Sequence, residues 1–255
     1  MTNPTDPTER FSSRAENYAR YRPGYPQAIF NCLRDECGLT AESVIADIGS
    51  GTGILTELFL KNGNRVFAVE PNKSMRRESE KLLVDYPKFI SVQGRAEATT
   101  LSDRSVDFVT AGQAFHWFDG EAARMEFERI LRPGGLAVLV WNARVHETDP
   151  VMEAYERVLS DFGLGYHGIT HRSHKGEIDT LFQNGWECRT FAHSRALDFA
   201  ALWGGFLSAS YAPSPEDAHY ESMREGLRRV FDNFQQRGLI DFHYDTHLYF
   251  GHLTS

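Results

Sequence analysis

This chain of 255 residues has little to build covalent or metal-based structure with: three cysteines, Cys32, Cys37 and Cys188. An odd number cannot pair off and no C-x-x-C spacing occurs, so the thiols read as reduced, partly buried groups of a cytoplasmic protein. No apolar stretch approaches the ~20 residues that cross a bilayer. Residues 1–10 carry no apolar h-region, so no secretory signal is expected. Basic charge is not in excess either. Lys and Arg number 27 against 35 Asp and Glu, a net charge of −8, which argues against an extended phosphate-binding face and against nucleic acid as partner. The lack of a G-x-S-x-G elbow removes the common serine-hydrolase arrangement. Histidines are spaced by four and three at His167, His171 and His174, and by four at His243 and His247. On a helix such spacings put imidazoles on one face, where they bind zinc. Gly163, Gly165 and Gly168 oppose a helix at the first group, and no Cys or H-E-x-x-H completes either. No metal is expected.

The chain does contain enough apolar matter for a core, at 41% hydrophobic and 13% aromatic residues. The order of patterns predicts a doubly wound α/β sheet. A helix over 26–37, stopped at Gly38, precedes strand 44–48, helix 53–62, strand 65–70 and helix 72–85. Strand 89–93 follows, then a helical turn near 96–100, strand 105–110, helix 119–131 with Asp119 as N-cap, and an almost wholly apolar strand 136–142. A helix opens at Asp149-Pro150 and runs to about Phe162. A Gly- and His-rich stretch follows, then a helix–strand–helix–strand set over 177–253. Phe242, Tyr244, Leu248 and Phe250 share one parity, as in a half-buried terminal strand. There is no internal repeat and no low-complexity segment.

The most informative stretch is Val44-Ile45-Ala46-Asp47-Ile48-Gly49-Ser50-Gly51-Thr52-Gly53. A β-branched apolar run meets three glycines at alternate positions, and a helical pattern from Ile54 follows at once. That order describes a buried strand, a tight turn, and a helix whose free N–H groups face whatever sits over the turn. A second run, Arg65-Val66-Phe67-Ala68-Val69, ends on Glu70, placed to accept hydrogen bonds from both hydroxyls of a ribose. This is the pattern of a nucleoside-cofactor site. The dinucleotide fingerprint G-x-G-x-x-G would need its third glycine at position 54, which is Ile54, so a nicotinamide cofactor is a distant third reading.

The G-x-G-x-G spacing, with Asp47 upstream and Glu70-Pro71-Asn72-Lys73-Ser74-Met75 at the second strand's end, resembles class I S-adenosylmethionine-dependent methyltransferases. Ser105-Val106-Asp107-Phe108-Val109 resembles that family's fourth strand, and Arg132-Pro133-Gly134-Gly135 the turn before its fifth. The resemblance runs in register over about residues 10–142 and more loosely beyond. It implies a mostly parallel seven-stranded Rossmann-like sheet with an antiparallel last strand and a small helical cap. Its division would be an N-terminal lid over 1–25, a cofactor-binding core over 26–142, and the sheet's end with cap insertions over 143–255. Within the family, Phe11 to Pro23 is similar to the lid of the branch that includes trans-aconitate methyltransferase-like proteins. Tyr18 and Arg22 are then expected at the cofactor's methionine end.

The same resemblance places Gly49, Ser50, Gly51, Thr52, Gly53, Glu70, Pro71, Met75, Arg95, Ala96, Glu97, Gln113 and His116 around S-adenosylmethionine, with Met75 on the adenine. One residue departs from the pattern. Gln93-Gly94-Arg95-Ala96-Glu97 has Arg95 where the family often carries an acidic residue that accepts the adenine N6 protons, and a guanidinium has donors only. Glu97 is left to supply an acceptor. For His116-Trp117, cofactor-shell and structural roles outweigh catalysis.

The expected function is methyl transfer to a small molecule, with S-adenosylhomocysteine as product. A sulfonium methyl is already electrophilic, so the protein must align a nucleophile and exclude water. A hydroxyl or ammonium acceptor also needs a base, for which His116, His171 and Tyr211 are candidates. The alternatives are a non-catalytic S-adenosylmethionine-binding regulatory or scaffold protein, and a fold of this kind using the cofactor for other chemistry. A monomer or homodimer without membrane association is expected.

Overall fold

The computed structural model describes residues 15–145, 149–162, 175–209 and 211–253. After α1 (Ala15–Tyr21) and α2 (Gln27–Cys37) the chain alternates strands and helices. β1 (Val44–Ile48), α3 (Ile54–Lys61), β2 (Arg65–Val69), α4 (Lys73–Leu82) and β3 (Phe89–Val92) make one half of the sheet. β4 (Val106–Gly112), α5 (Gly120–Ile130) and β5 (Leu131–Arg144) continue it. The remainder is α6 (Pro150–Phe162), α7 (Lys175–Leu181), β6 (Glu187–Leu197), α8 (Phe199–Leu207), α9 (Tyr220–Phe234) and β7 (Ile240–Gly251).

The seven strands lie in the order β3-β2-β1-β4-β5-β7-β6. β1 to β5 are parallel, and β7 is antiparallel to both β5 and β6. This is the Rossmann-like arrangement expected, with its antiparallel last strand. The order reverses between β1 and β4, and ligands of such sheets lie beyond the strands' carboxyl ends at that switch point.

Local chemistry explains where the elements start and stop. Asn72 Oδ1 accepts the Ser74 and Met75 N–H groups at the start of α4. Asp119, Asp149 and Asp198 do the same for α5, α6 and α8, each such cap contributing about 1 kcal/mol. Gly38 ends α2 in the left-handed conformation at φ 69°. β5 alternates between two buried faces. Val138 and Val140 pack with α2 and α3, while Leu139 and Trp141 pack with α5 and α7. Burial on both sides is why that strand reads as one apolar run. A third cluster joins α6, α8 and α9 to Phe242 and Tyr244 of β7, forming a helical cap.

Three expectations need correction. Residues 96–100 form no helical turn: Arg95 and Ala98 exchange backbone hydrogen bonds of 3.1 Å across a tight turn. Arg132-Pro133-Gly134-Gly135 is not a free turn but part of β5, where the register jumps from Val106↔Leu131 to Phe108↔Leu136. The final set carries two helices, α8 and α9, between its strands. His167, His171, His174 and residues 163–174 lie outside the described residues, as do Phe11 to Arg14 of the lid.

Candidate functional site

The glycine loop leaves β1 at the switch point. Gly49 has φ 66° and its N–H donates to Val69 O at 2.8 Å, tying the loop to β2. A Cβ on Gly49 would stand 2.7 Å from the Ala114 Cβ, so both backbone and packing demand glycine there. Gly53 (φ 87°) is the N-cap of α3, and a Cβ on it would meet Leu83 at 2.6 Å. Glycine at position 53 therefore lets the start of α3 approach the end of α4.

Glu70, just past β2, is 7% exposed. Its Oε2 accepts the Gly51 N–H at 2.9 Å and its Oε1 the Asn72 N–H at 2.8 Å. Burial pushes its carboxyl up, while those two N–H bonds and the nearby Arg76 oppose the shift. Each oxygen keeps a lone pair for one more donor, which suits a vicinal diol. Beneath the loop, Asp47 is fully buried and accepts from Thr56 at 2.6 Å and Thr110 at 3.1 Å. Burial raises its carboxyl to about 7 against those two hydrogen bonds.

Two adjoining clefts open over this loop. The larger, about 120 Å³, is lined by Glu70, Pro71, Asn72, Met75, Arg95, Ala96, Glu97, Ala114, Trp117 and Phe118. The smaller, about 40 Å³, is bounded by Tyr18, Arg22, Pro23, Tyr25, Asp47, Ser50, Ile54, Leu55 and Asn142. Tyr18, Gly49, Gly51, Gly112 and Gln113 border both. Gln113 sits at φ 57° and its Nε2 donates to Asn142 O at 3.1 Å, fixing it between the two.

Of the residues expected around the cofactor, Thr52, Gly53 and His116 line neither cleft. Thr52 is turned inward at 2% exposure. His116 sits in the 3-10 turn Phe115–Trp117 with its ring 4.7 Å from that of Trp117, and Trp117 is the member of the pair on the cleft wall. Tyr211 lies by Arg144, whose Nη1 donates to its hydroxyl at 3.4 Å. Sequence reasoning passed over Tyr25, Gly112 and Asn142. Gly112 carried a signal, being a glycine ending a strand, and a Cβ there would fall 2.5 Å from the Tyr25 Oη.

Helix α1 is strapped down. Arg195 donates to Tyr21 O at 2.9 Å, Arg22 to Ser208 O at 3.3 Å, and the Tyr21 ring fills the space left by Gly204 of α8. The Arg22 guanidinium lies 4.9 Å from the Tyr18 ring centroid. Ser50 Oγ and Arg22 Nε, both facing the smaller cleft, are buried with no hydrogen-bond partner among the described residues. Two buried donors without partners among the described residues suit an anionic group such as a carboxylate.

A polar band continues from the smaller cleft along β5, β7 and β6. Register puts Asn142 with Thr246, Arg144 with Tyr244, and Tyr244 with His193, all on one sheet face. Arg144 pairs with Glu156 at 2.7 Å. Thr246 donates to Asn142 Oδ1 at 2.6 Å, and Asn142 Nδ2 to Gly24 O at 3.0 Å. Having one proton, Thr246 accepts from His193 Nδ1 at 3.1 Å. His193 is therefore the Nδ1–H tautomer, with a bare and buried Nε2. Burial and the nearby Arg195 hold its imidazole below the usual range.

A Rossmann-like sheet with two adjoining clefts at its switch point is the class these features define. Residues 46–139 match the methyltransferase domain family. A methyltransferase of Mycobacterium tuberculosis is 37% identical over 151 residues, 59% of each chain. One of Schizosaccharomyces pombe is 37% identical over 139 residues, 52% of this chain and 53% of its own. The chain thus aligns with a little over half the length of these relatives. In fold, a protein of Anaeromyxobacter dehalogenans assigned as a type II methyltransferase matches 91% of this chain and 98% of its own, with a TM-score of 0.66 at 21% identity. One assigned to antibiotic biosynthesis in Anabaena variabilis matches 91% and 99%, with a TM-score of 0.61 at 24% identity. The resemblance to class I methyltransferases therefore holds in sequence over the sheet core and in fold over nearly the whole chain. Among the described residues no helix is long and apolar enough to cross a membrane, and no His, Cys, Asp and Glu group could hold a metal.

Proposed function

We propose that the protein transfers a methyl group from S-adenosylmethionine to a small-molecule acceptor. The carrying observation is Glu70: a buried carboxylate, pinned by Gly51 and Asn72, at the end of β2 in a methyltransferase domain. When bound, the cofactor supplies the electrophilic sulfonium methyl. Glu70 takes the ribose hydroxyls, Arg22 and Ser50 take the amino-acid carboxylate, and Met75, Ala96 and Phe118 flank the base. Tyr18, Arg22, Gln113 and the strapped α1 exclude water and hold the methionine end.

The acceptor side is the polar band under α1 and α8. Arg22 and Arg195 donate to backbone carbonyls, and neither has a carboxylate partner among the described residues. That excess of positive charge under a closed roof favours a small anionic acceptor. Where its nucleophile carries a proton, the bare His193 Nε2 is the base best supported by the hydrogen-bond pattern. We read the protein as cytoplasmic, free of membrane and nucleic acid, and monomeric or homodimeric.

The test is calorimetry with S-adenosylmethionine, S-adenosylhomocysteine and NAD, then a screen of small carboxylates, amines and phenols for S-adenosylhomocysteine release. Tight NAD binding without response to either sulfur nucleoside would overturn the cofactor. Binding without turnover across the panel would favour a regulatory role.

A further inference from the structure

Besides Glu70, the larger cleft is lined by polar groups that bear on which purine it could read. Asn72 Oδ1 is committed to the Ser74 and Met75 N–H groups. Glu97 Oε1 accepts the Asp119 N–H at 2.9 Å, which fixes that carboxylate against the start of α5 and leaves Oε2 as acceptor. Arg95 borders the same cleft, and its guanidinium has no hydrogen bond or ion pair among the described residues. Its backbone is fixed by the reciprocal bonds with Ala98, so the side chain is presented from a rigid turn.

A guanidinium offers two parallel N–H donors. Those match the O6 and N7 acceptors of a 6-oxopurine, whereas the N6–H and N7 edge of adenine asks for a donor and an acceptor together. Glu97 Oε2 is indifferent between the rings: it accepts from N6–H of adenine or from N1–H of hypoxanthine. Arg95 is the group that tips the balance. Resting on the nucleoside reading above, we propose that the base site accepts 6-oxopurine sulfur nucleosides as well as 6-aminopurine ones, with Arg95 as the residue that sets this breadth. S-Inosyl-L-homocysteine, the deaminated counterpart of S-adenosylhomocysteine, is then a ligand of the same cleft.

The experiment is calorimetric titration of the full chain with S-adenosylhomocysteine and with S-inosyl-L-homocysteine, for the wild type and for Arg95→Glu and Arg95→Ala. Arg95 is exposed and its fixed contacts are backbone, so the variants are expected to fold, which circular dichroism checks. In the wild type the two dissociation constants should lie within about ten-fold of each other, a span within what one good bidentate base contact commands. Arg95→Glu should move their ratio at least ten-fold toward the adenine compound, and Arg95→Ala should move it in the same direction. A wild-type preference for S-adenosylhomocysteine beyond ten-fold overturns the proposal, as does a smaller shift in Arg95→Glu. Failure of both nucleosides to bind overturns the proposed function itself, whereas S-adenosylhomocysteine binding alone overturns this inference and leaves that function standing.

Discussion

The Gly51 N–H donates to the Glu70 carboxylate across 2.9 Å, so the residue proposed to hold the ribose also shapes the glycine loop. Replacing Glu70 by Ala removes the diol's acceptor and leaves the Gly51 and Asn72 N–H groups without theirs. Cofactor affinity should fall by roughly 1.5–3 kcal/mol, the range for hydrogen bonds to a charged group. Folding should become weaker by about 1–3 kcal/mol through the orphaned amides, within what a domain tolerates. Calorimetry with S-adenosylhomocysteine alongside urea denaturation measures both. A folded variant with an unchanged dissociation constant would take Glu70 out of the site.

Gly49→Ala should act on the same loop through packing. The added Cβ would stand 2.7 Å from Ala114, at a φ of +66°. The left-handed backbone costs roughly 1–2 kcal/mol, and relieving the contact costs about 1–3 kcal/mol more. Ala114 must then move, and it lines the larger cleft. The expected result is a lowered melting temperature together with weakened S-adenosylhomocysteine binding. Loss of stability with full affinity would show that the loop and the cleft wall adjust independently.

Asp47 gives the fold a pH dependence with a definite sign. Its carboxyl is raised by burial to about 7 in the folded protein against an ordinary 3.8. The native state therefore holds a proton that the unfolded chain releases, and stability falls as pH rises from about 4 through 7. Asp47→Asn mimics the protonated form and keeps an oxygen for Thr56 or Thr110. It should be more stable than the wild type at pH 8 by an amount on the order of a few kcal/mol, with the gap shrinking toward pH 5. Denaturation curves at several pH values test this, and a gap that does not change with pH contradicts it.

What the sequence revealed of this site follows from how local each signal is. The glycine loop, Glu70 and the N-cap Asp119 are encoded within a few residues, and each occupies the place its local pattern predicts. A glycine-rich motif does not say which of its members face outward, and Thr52 and Gly53 are two that line neither cleft. Gly53 is there for Leu83, thirty positions on. Asn142, Tyr25 and His193 were invisible for another reason. Asn142 and His193 meet through Thr246, and Asn142 also reaches Gly24 beside Tyr25, from strands and a loop that only the β5–β7–β6 register brings together. The helical turn expected near 96–100 failed because short apolar-polar runs do not distinguish a turn from a bridge.

The lid is the last prediction. In-line methyl transfer needs a dry pocket, and cofactor exchange needs an open one, so an element over the clefts must move. We predict that α1 is that element: it borders both clefts through Tyr18, and it is held to the cap by Arg195 to Tyr21 O, Arg22 to Ser208 O, and the Tyr21 ring against Gly204. Two of these are hydrogen bonds to backbone carbonyls, each worth about 1.5–3 kcal/mol at most. Hydrogen exchange over residues 15–23 should therefore be fast without ligand and slow with S-adenosylhomocysteine, while β1 and β4 stay protected in both states. Gly204→Ala offers a sharper version. Its methyl would collide with the Tyr21 ring, so α1 should undock even though alanine favours helix α8 by about 1 kcal/mol. Affinity for S-adenosylhomocysteine should drop and exchange over 15–23 should stay fast with ligand present, with the melting of the sheet core little changed. Equal protection of 15–23 in free and bound wild type would show fixed packing in place of a gate, and undiminished affinity in Gly204→Ala would show that Tyr18 and Arg22 do not clamp the cofactor from this helix.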